Sequence, residues 1–96
     1  MAKKRSKSTH LYILSCGDRV KIGITNDIEK RMMTLKTGNP LPLTLEFLEE
    51  RTNPHKAEHY VLNQLSKYRI QGTEWFEGID VNKIRSCLFM FHDQEE

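Results

Sequence analysis

Cysteine is too scarce in this chain to build a disulfide framework or a metal cluster: Cys16 and Cys87 are the only two, far apart and without neighbours at a ligand spacing. Both are expected to be reduced, partly buried thiols. No apolar run approaches the roughly 20 residues of a membrane span. The basic start, Lys3-Lys4-Arg5-Ser6-Lys7-Ser8, is not followed by the hydrophobic stretch of a secretory signal. A cytoplasmic protein is therefore expected. Repeats, low-complexity tracts and breaks in composition are missing beyond that start. One domain over residues 10–96 is expected, preceded by a disordered basic tail over 1–9. The 96 residues leave room for a single modest core and no separate recognition domain of ordinary size.

Charge of one sign is also missing from the body of the chain. The formal charge is +2, but Lys3, Lys4, Arg5 and Lys7 hold four of the 15 basic residues, leaving 11 against 13 acidic ones. Affinity for nucleic acid must then come from a local patch together with the tail, because phosphate binding follows positioned Lys and Arg rather than overall pI. The tail reads equally well as a phosphate tether or as a solvated end.

What the chain does have is alternation between strand and helix patterns. Leu11-Tyr12-Ile13-Leu14 and Val20-Lys21-Ile22-Gly23-Ile24-Thr25 flank Gly17-Asp18, which predicts a tight hairpin. Asn26 and Asp27 can cap a helix to about Lys36, with Ile28, Met32 and Leu35 as its apolar stripe. Leu43 to Phe47 alternates as a strand with one buried face. Asn53-Pro54 starts a helix expected to run to about Tyr68, with Ala57, Val61 and Leu65 inward. Thr73 to Glu77 suits a last strand, and Val81, Ile84, Leu88 and Phe91 repeat at helical spacing behind Asp80. The expected fold is α+β, a small mainly antiparallel sheet of three or possibly four strands flanked by about three helices. His55 and His59 stand at i,i+4 but lack further ligands, so two solvent-facing histidines are expected rather than zinc ligands.

The hairpin brings a phenol, Tyr12, toward an ammonium, Lys21. A cation stabilises phenolate, and a tyrosine that loses its proton more readily can act as a base or nucleophile. Arg31 on the first helix and Glu58 near the start of the second add a planar phosphate clamp and a carboxylate for a hard divalent ion. Phosphodiester cleavage needs this set, because water must be activated while negative charge builds on the phosphoryl and leaving oxygens. Each residue also has an ordinary reading: strand aromatic for Tyr12, surface cations for Lys21 and Arg31, and a helix-dipole partner for Glu58.

In order and spacing these motifs resemble the GIY-YIG nuclease superfamily. Leu11-Tyr12 matches its first element, Lys21-Ile22-Gly23 the second, Arg31 the arginine of the following helix and Glu58 the glutamate of the next. Lys21-Ile22-Gly23-Ile24-Thr25 and the closing Glu74-Trp75-Phe76 are similar to a compact branch common in phages. The resemblance covers roughly Leu11 to Gly78. It implies a metal-dependent DNA endonuclease, a hydrolase of phosphodiester bonds using one Mg²⁺ or Mn²⁺. In that role Tyr12 activates water, Lys21 lowers the tyrosine's pKa or contacts phosphate, Arg31 stabilises the transition state and Glu58 holds the metal. Thr25, Lys36 and Arg69 are candidates for the border of a phosphate groove. DNA is the implied partner, with specificity supplied by substrate shape or by a partner protein. Many members have tyrosine in place of Lys21, histidine in place of Leu35, and a later asparagine that neither Asn63 nor Asn82 matches securely. A scaffold that binds nucleic acid or protein with little or no turnover is the alternative reading.

Overall fold

The hairpin forms as its alternation demands. In the computed structural model, which describes residues 9–91, β1 (Thr9–Cys16) and β2 (Arg19–Thr25) run antiparallel with Tyr12 opposite Gly23 and Leu14 opposite Lys21. Gly17 opens the turn at φ 63°, a conformation that suits glycine and that tight hairpin turns require. Lys3, Lys4, Arg5 and Lys7 lie outside the described residues, as do residues 92–96.

Two polar side chains then start α1 (Ile28–Lys36): the Thr25 hydroxyl accepts from the Asp27 amide at 3.1 Å, and the Asp27 carboxylate accepts from the Lys30 amide at 3.1 Å. The chain returns as β3 (Thr44–Arg51), antiparallel to β1 on the side away from β2, with a register shift between Ile13 and Leu14. Helix α2 (Pro54–Gln64) follows, then a 3-10 turn over Ser66–Tyr68, β4 (Trp75–Glu77) and α3 (Val81–Met90). The sheet has four antiparallel strands in the order β3-β1-β2-β4. This is the expected α+β class, with the fourth strand present.

Helix α2 begins on Pro54 behind Asn53 as expected; Asn53 makes no side-chain capping bond, and the missing amide of Pro54 needs no partner. Its end differs: α2 stops at Gln64 instead of near Tyr68, because Leu65 leaves helical geometry at φ −109°, ψ 23° and the chain tightens into the 3-10 turn. Leu65 stays buried in the core.

Strand alternation divides the sheet's side chains between two faces. Leu11, Ile13, Val20, Ile22 and Phe76 join Ala57 and Val61 of α2 and Ile84 and Leu88 of α3 in the core. The opposite face carries Tyr12, Leu14 and Cys16 of β1, Lys21 and Gly23 of β2, and Trp75 of β4. Trp75 and Phe76 thus part company as a strand requires. Helix α1 buries none of its residues, and its stripe of Ile28, Met32 and Leu35 is only half-covered. Among the described residues no helix is long and apolar enough to cross a membrane.

Ile84 is wholly buried in this core. We expect Ile84→Ala to lower the unfolding free energy by about 2–5 kcal/mol, measured by urea denaturation.

Candidate active site

Tyr12 and Gly23 face each other across β1 and β2, and the phenol lies over the glycine. A Cβ on residue 23 would come within 2.5 Å of Tyr12 Cζ and closer still to its hydroxyl oxygen. Only hydrogen at that position lets the ring lie flat against the sheet, where it is 2% exposed. The glycine of the second motif is therefore needed for the tyrosine of the first.

Burial pushes the Tyr12 phenol above its ordinary value. Arg31 is the cation that opposes this, while the charges of Glu74 and Glu58 add to the rise. This differs from the expectation that Lys21 lowers the tyrosine's pKa. The reason is geometric: Lys21 Nζ donates to Glu74 Oε1 at 3.0 Å and sits 5.7 Å from the Trp75 ring centre, so its charge is already engaged. Lys21 is a buried, paired cation.

Glu58 is also buried, at 8% exposure. Desolvation raises its carboxyl pKa most, and Glu74 raises it further. His55, His59 and Lys21 act in the opposite direction. Glu58 lies beyond the first turn of α2, which holds no acidic residue, so the helix N-terminus does not account for its position. His55 and His59 are exposed on either side of it in sequence.

Glu58 and Glu74 thus repel each other in a partly desolvated place, with one lysine charge between them already taken by Glu74. Glu58 is the carboxylate here that could hold a hard divalent cation. Among the described residues no group of three or more His, Cys, Asp and Glu side chains is placed to hold a metal. Mg²⁺ does not need such a cage, since it keeps several waters and takes ligands from phosphate.

The remaining candidates divide. Thr25 and Arg31 line one cleft of about 250 Å³ with Asp27, Lys30 and Thr34. Lys36 is exposed in the last turn of α1 and is not among the residues lining that cleft. Arg69 is exposed and donates from Nε to the Thr73 carbonyl at 2.6 Å, bracing the loop before β4. Leu35 is half-buried on α1. Sequence reasoning gave Glu74 no role in the site. Its place in Glu74-Trp75-Phe76, with Trp75 opposite Lys21, was the available signal.

The T5orf172 domain family matches residues 9–92, and the chain belongs to it. That family is associated with nucleases of phage and homing-endonuclease type, and with action on DNA. No curated protein and no solved structure matches the chain.

Two measurements check this geometry. Gly23→Ala must displace the Tyr12 ring, and we expect a loss of about 1–3 kcal/mol in stability, read by denaturation. For Glu58, a raised pKa in the folded state means that stability is full below the ordinary value of 4.5 and is lost as pH rises through the folded value. In chelator-treated buffer, Glu58→Gln should therefore match the wild type below pH 4.5 and become the more stable of the two above it.

Proposed function

We propose that this protein is a metal-dependent DNA endonuclease that hydrolyses phosphodiester bonds. The observation carrying the reading is that a buried phenol senses both the Arg31 guanidinium, which lowers its pKa, and the Glu58 carboxylate, whose own pKa is raised by burial and by Glu74. Membership of a nuclease-associated family supports it.

In this reading Glu58 binds one Mg²⁺ or Mn²⁺, with Glu74 contributing negative field. When bound, that ion supplies positive charge to the phosphate oxygens and the departing oxygen. Arg31, exposed on α1 beside the site, holds a non-bridging phosphate oxygen and stabilises the charge that grows there. Tyr12 in its minor phenolate form takes a proton from the attacking water. The water oxygen bonds to phosphorus, the bond from phosphorus to the deoxyribose oxygen breaks, and that oxygen leaves with a proton from solvent. Lys21 acts through Glu74, fixing the carboxylate's position, instead of tuning the phenol. The Lys3 to Lys7 segment and Lys36 serve as sequence-independent phosphate contacts. A partner protein or the shape of the DNA supplies specificity.

The test is nicking of supercoiled plasmid in Mg²⁺ or Mn²⁺. Tyr12→Phe should slow nicking about 10²–10⁴-fold and Arg31→Ala about 10²–10³-fold. Glu58→Ala should abolish the divalent-dependent nicking. Because burial raises the Tyr12 pKa above the ordinary 10.0, the rate should climb with pH through the neutral range without levelling off below that value. Product in the absence of metal, or unchanged rates in both Tyr12→Phe and Glu58→Ala, would overturn the assignment. Salt-sensitive retention of DNA with no product would instead favour a binding scaffold without turnover.

A further inference from the structure

A second cleft, of about 450 Å³, opens on the face that carries Tyr12, at the end nearer the hairpin turn. Trp75, Asn39, Arg19, Asp18 and Glu77 line it, with Cys16 and Leu41. Its position follows from the register. Trp75 is opposite Lys21 and Glu77 is opposite Arg19, so the cleft begins two residues, roughly 6.6 Å of strand, beyond Gly23 and the Tyr12 phenol.

The lining is suited to a heterocyclic base and poorly suited to a phosphate. Asp18 and Glu77 are carboxylates, which repel phosphate but accept hydrogen bonds from the exocyclic amino groups of bases. Arg19 is 60% exposed at its side chain and only loosely paired with Glu77 at 3.8 Å, so its guanidinium remains available as a donor. Asn39 is held in place by its own side chain: Oδ1 accepts from the Leu41 amide at 3.1 Å, while Nδ2 donates only to the Cys16 sulfur at 3.6 Å, a weak acceptor. That leaves an amide donor with capacity for a better partner. Trp75 is half-buried, with the Lys21 ammonium 5.7 Å from its ring centre, and lines the cleft with an aromatic side chain of the kind on which unpaired bases stack.

We infer that this cleft is a base-binding subsite, in which a nucleobase splayed out of the strand stacks on Trp75 while Asn39, Arg19 and the two carboxylates meet its polar edge. The inference rests on the reading of the neighbouring site as DNA-cleaving, and it names the substrate as a strand with at least one unpaired base beside the scissile phosphate. A closed duplex would have to give up a stacked base to fill the cleft. Mismatched, looped or single-stranded DNA already has one free.

Trp75 is the only tryptophan in the chain, so its fluorescence reports the cleft directly and without cleavage. The experiment titrates the full chain, in chelator, with a short single-stranded oligonucleotide and with the same backbone made abasic. The intact strand should quench Trp75 and bind at least fivefold more tightly than the abasic one, which should leave the emission unchanged. Arg19→Ala and Asn39→Asp should each weaken the intact strand about 3–30-fold and bring it toward the abasic value. Circular dichroism on both variants checks that they remain folded, and the exposed Arg19 serves as the variant with least effect on folding. Equal quenching by both strands, or none by either, would overturn the subsite. A free nucleoside monophosphate that matched the oligonucleotide at equal concentration would make the occupant a free nucleotide and overturn the strand assignment. Base-dependent quenching with no plasmid nicking keeps the subsite and removes the nuclease reading, whereas metal-dependent nicking without it does the reverse.

Discussion

The packing of the Tyr12 ring on Gly23 is the constraint from which the rest of this structure follows. It requires these two residues to be opposite one another, and the two-residue turn at Gly17-Asp18 sets that register. The same register assigns Leu11, Ile13, Val20 and Ile22 to the helix-covered face and Lys21 to the face of the phenol. A slip of one residue would exchange the two sets and place a lysine in the apolar core. Core and site are therefore specified by one pairing.

Burial of charge is the second organising fact. Lys21 and Glu58 are the buried charged residues among those described, and neither is paired with the other. Lys21 is matched by Glu74 from the segment before β4, so the last strand closes the sheet edge and also neutralises that cation. Glu58 is left with a raised pKa, next to a carboxylate that raises it further. A fold of this size does not place a glutamate there for stability, because desolvating an unpaired carboxylate costs free energy. Sites whose pKa values are displaced by burial and by like charge are where function is concentrated.

The membership in the T5orf172 domain family is compatible with DNA binding. The sparse packing of α1 belongs to this picture. It buries none of its residues, is fixed at its start by Thr25 and Asp27, and carries Arg31 exposed to solvent. A helix held mainly by its cap and its linkers can present an arginine without enclosing the cleft beneath it.

The sequence by itself determined the class of fold, the hairpin and its turn, the three helices and the face of each that is apolar, because these depend on periodicity and on local backbone preference. It also marked Tyr12, Lys21, Arg31 and Glu58 as a candidate set, through ordered motifs and not through any one residue. What it did not determine was which charges meet. Lys21 stands near Tyr12 on the hairpin, yet its ammonium is taken by Glu74, 53 residues away, and Arg31 is the cation that the phenol senses. The Arg69 Nε meets the Thr73 carbonyl four residues on, a partner no sequence pattern announced. The end of α2 was set by the chain's turn toward β4, and the Asn53 cap by backbone geometry. Coulombic and hydrogen-bond partners depend on distances between side chains far apart in sequence, and only the closed sheet with its helices in place fixes those distances.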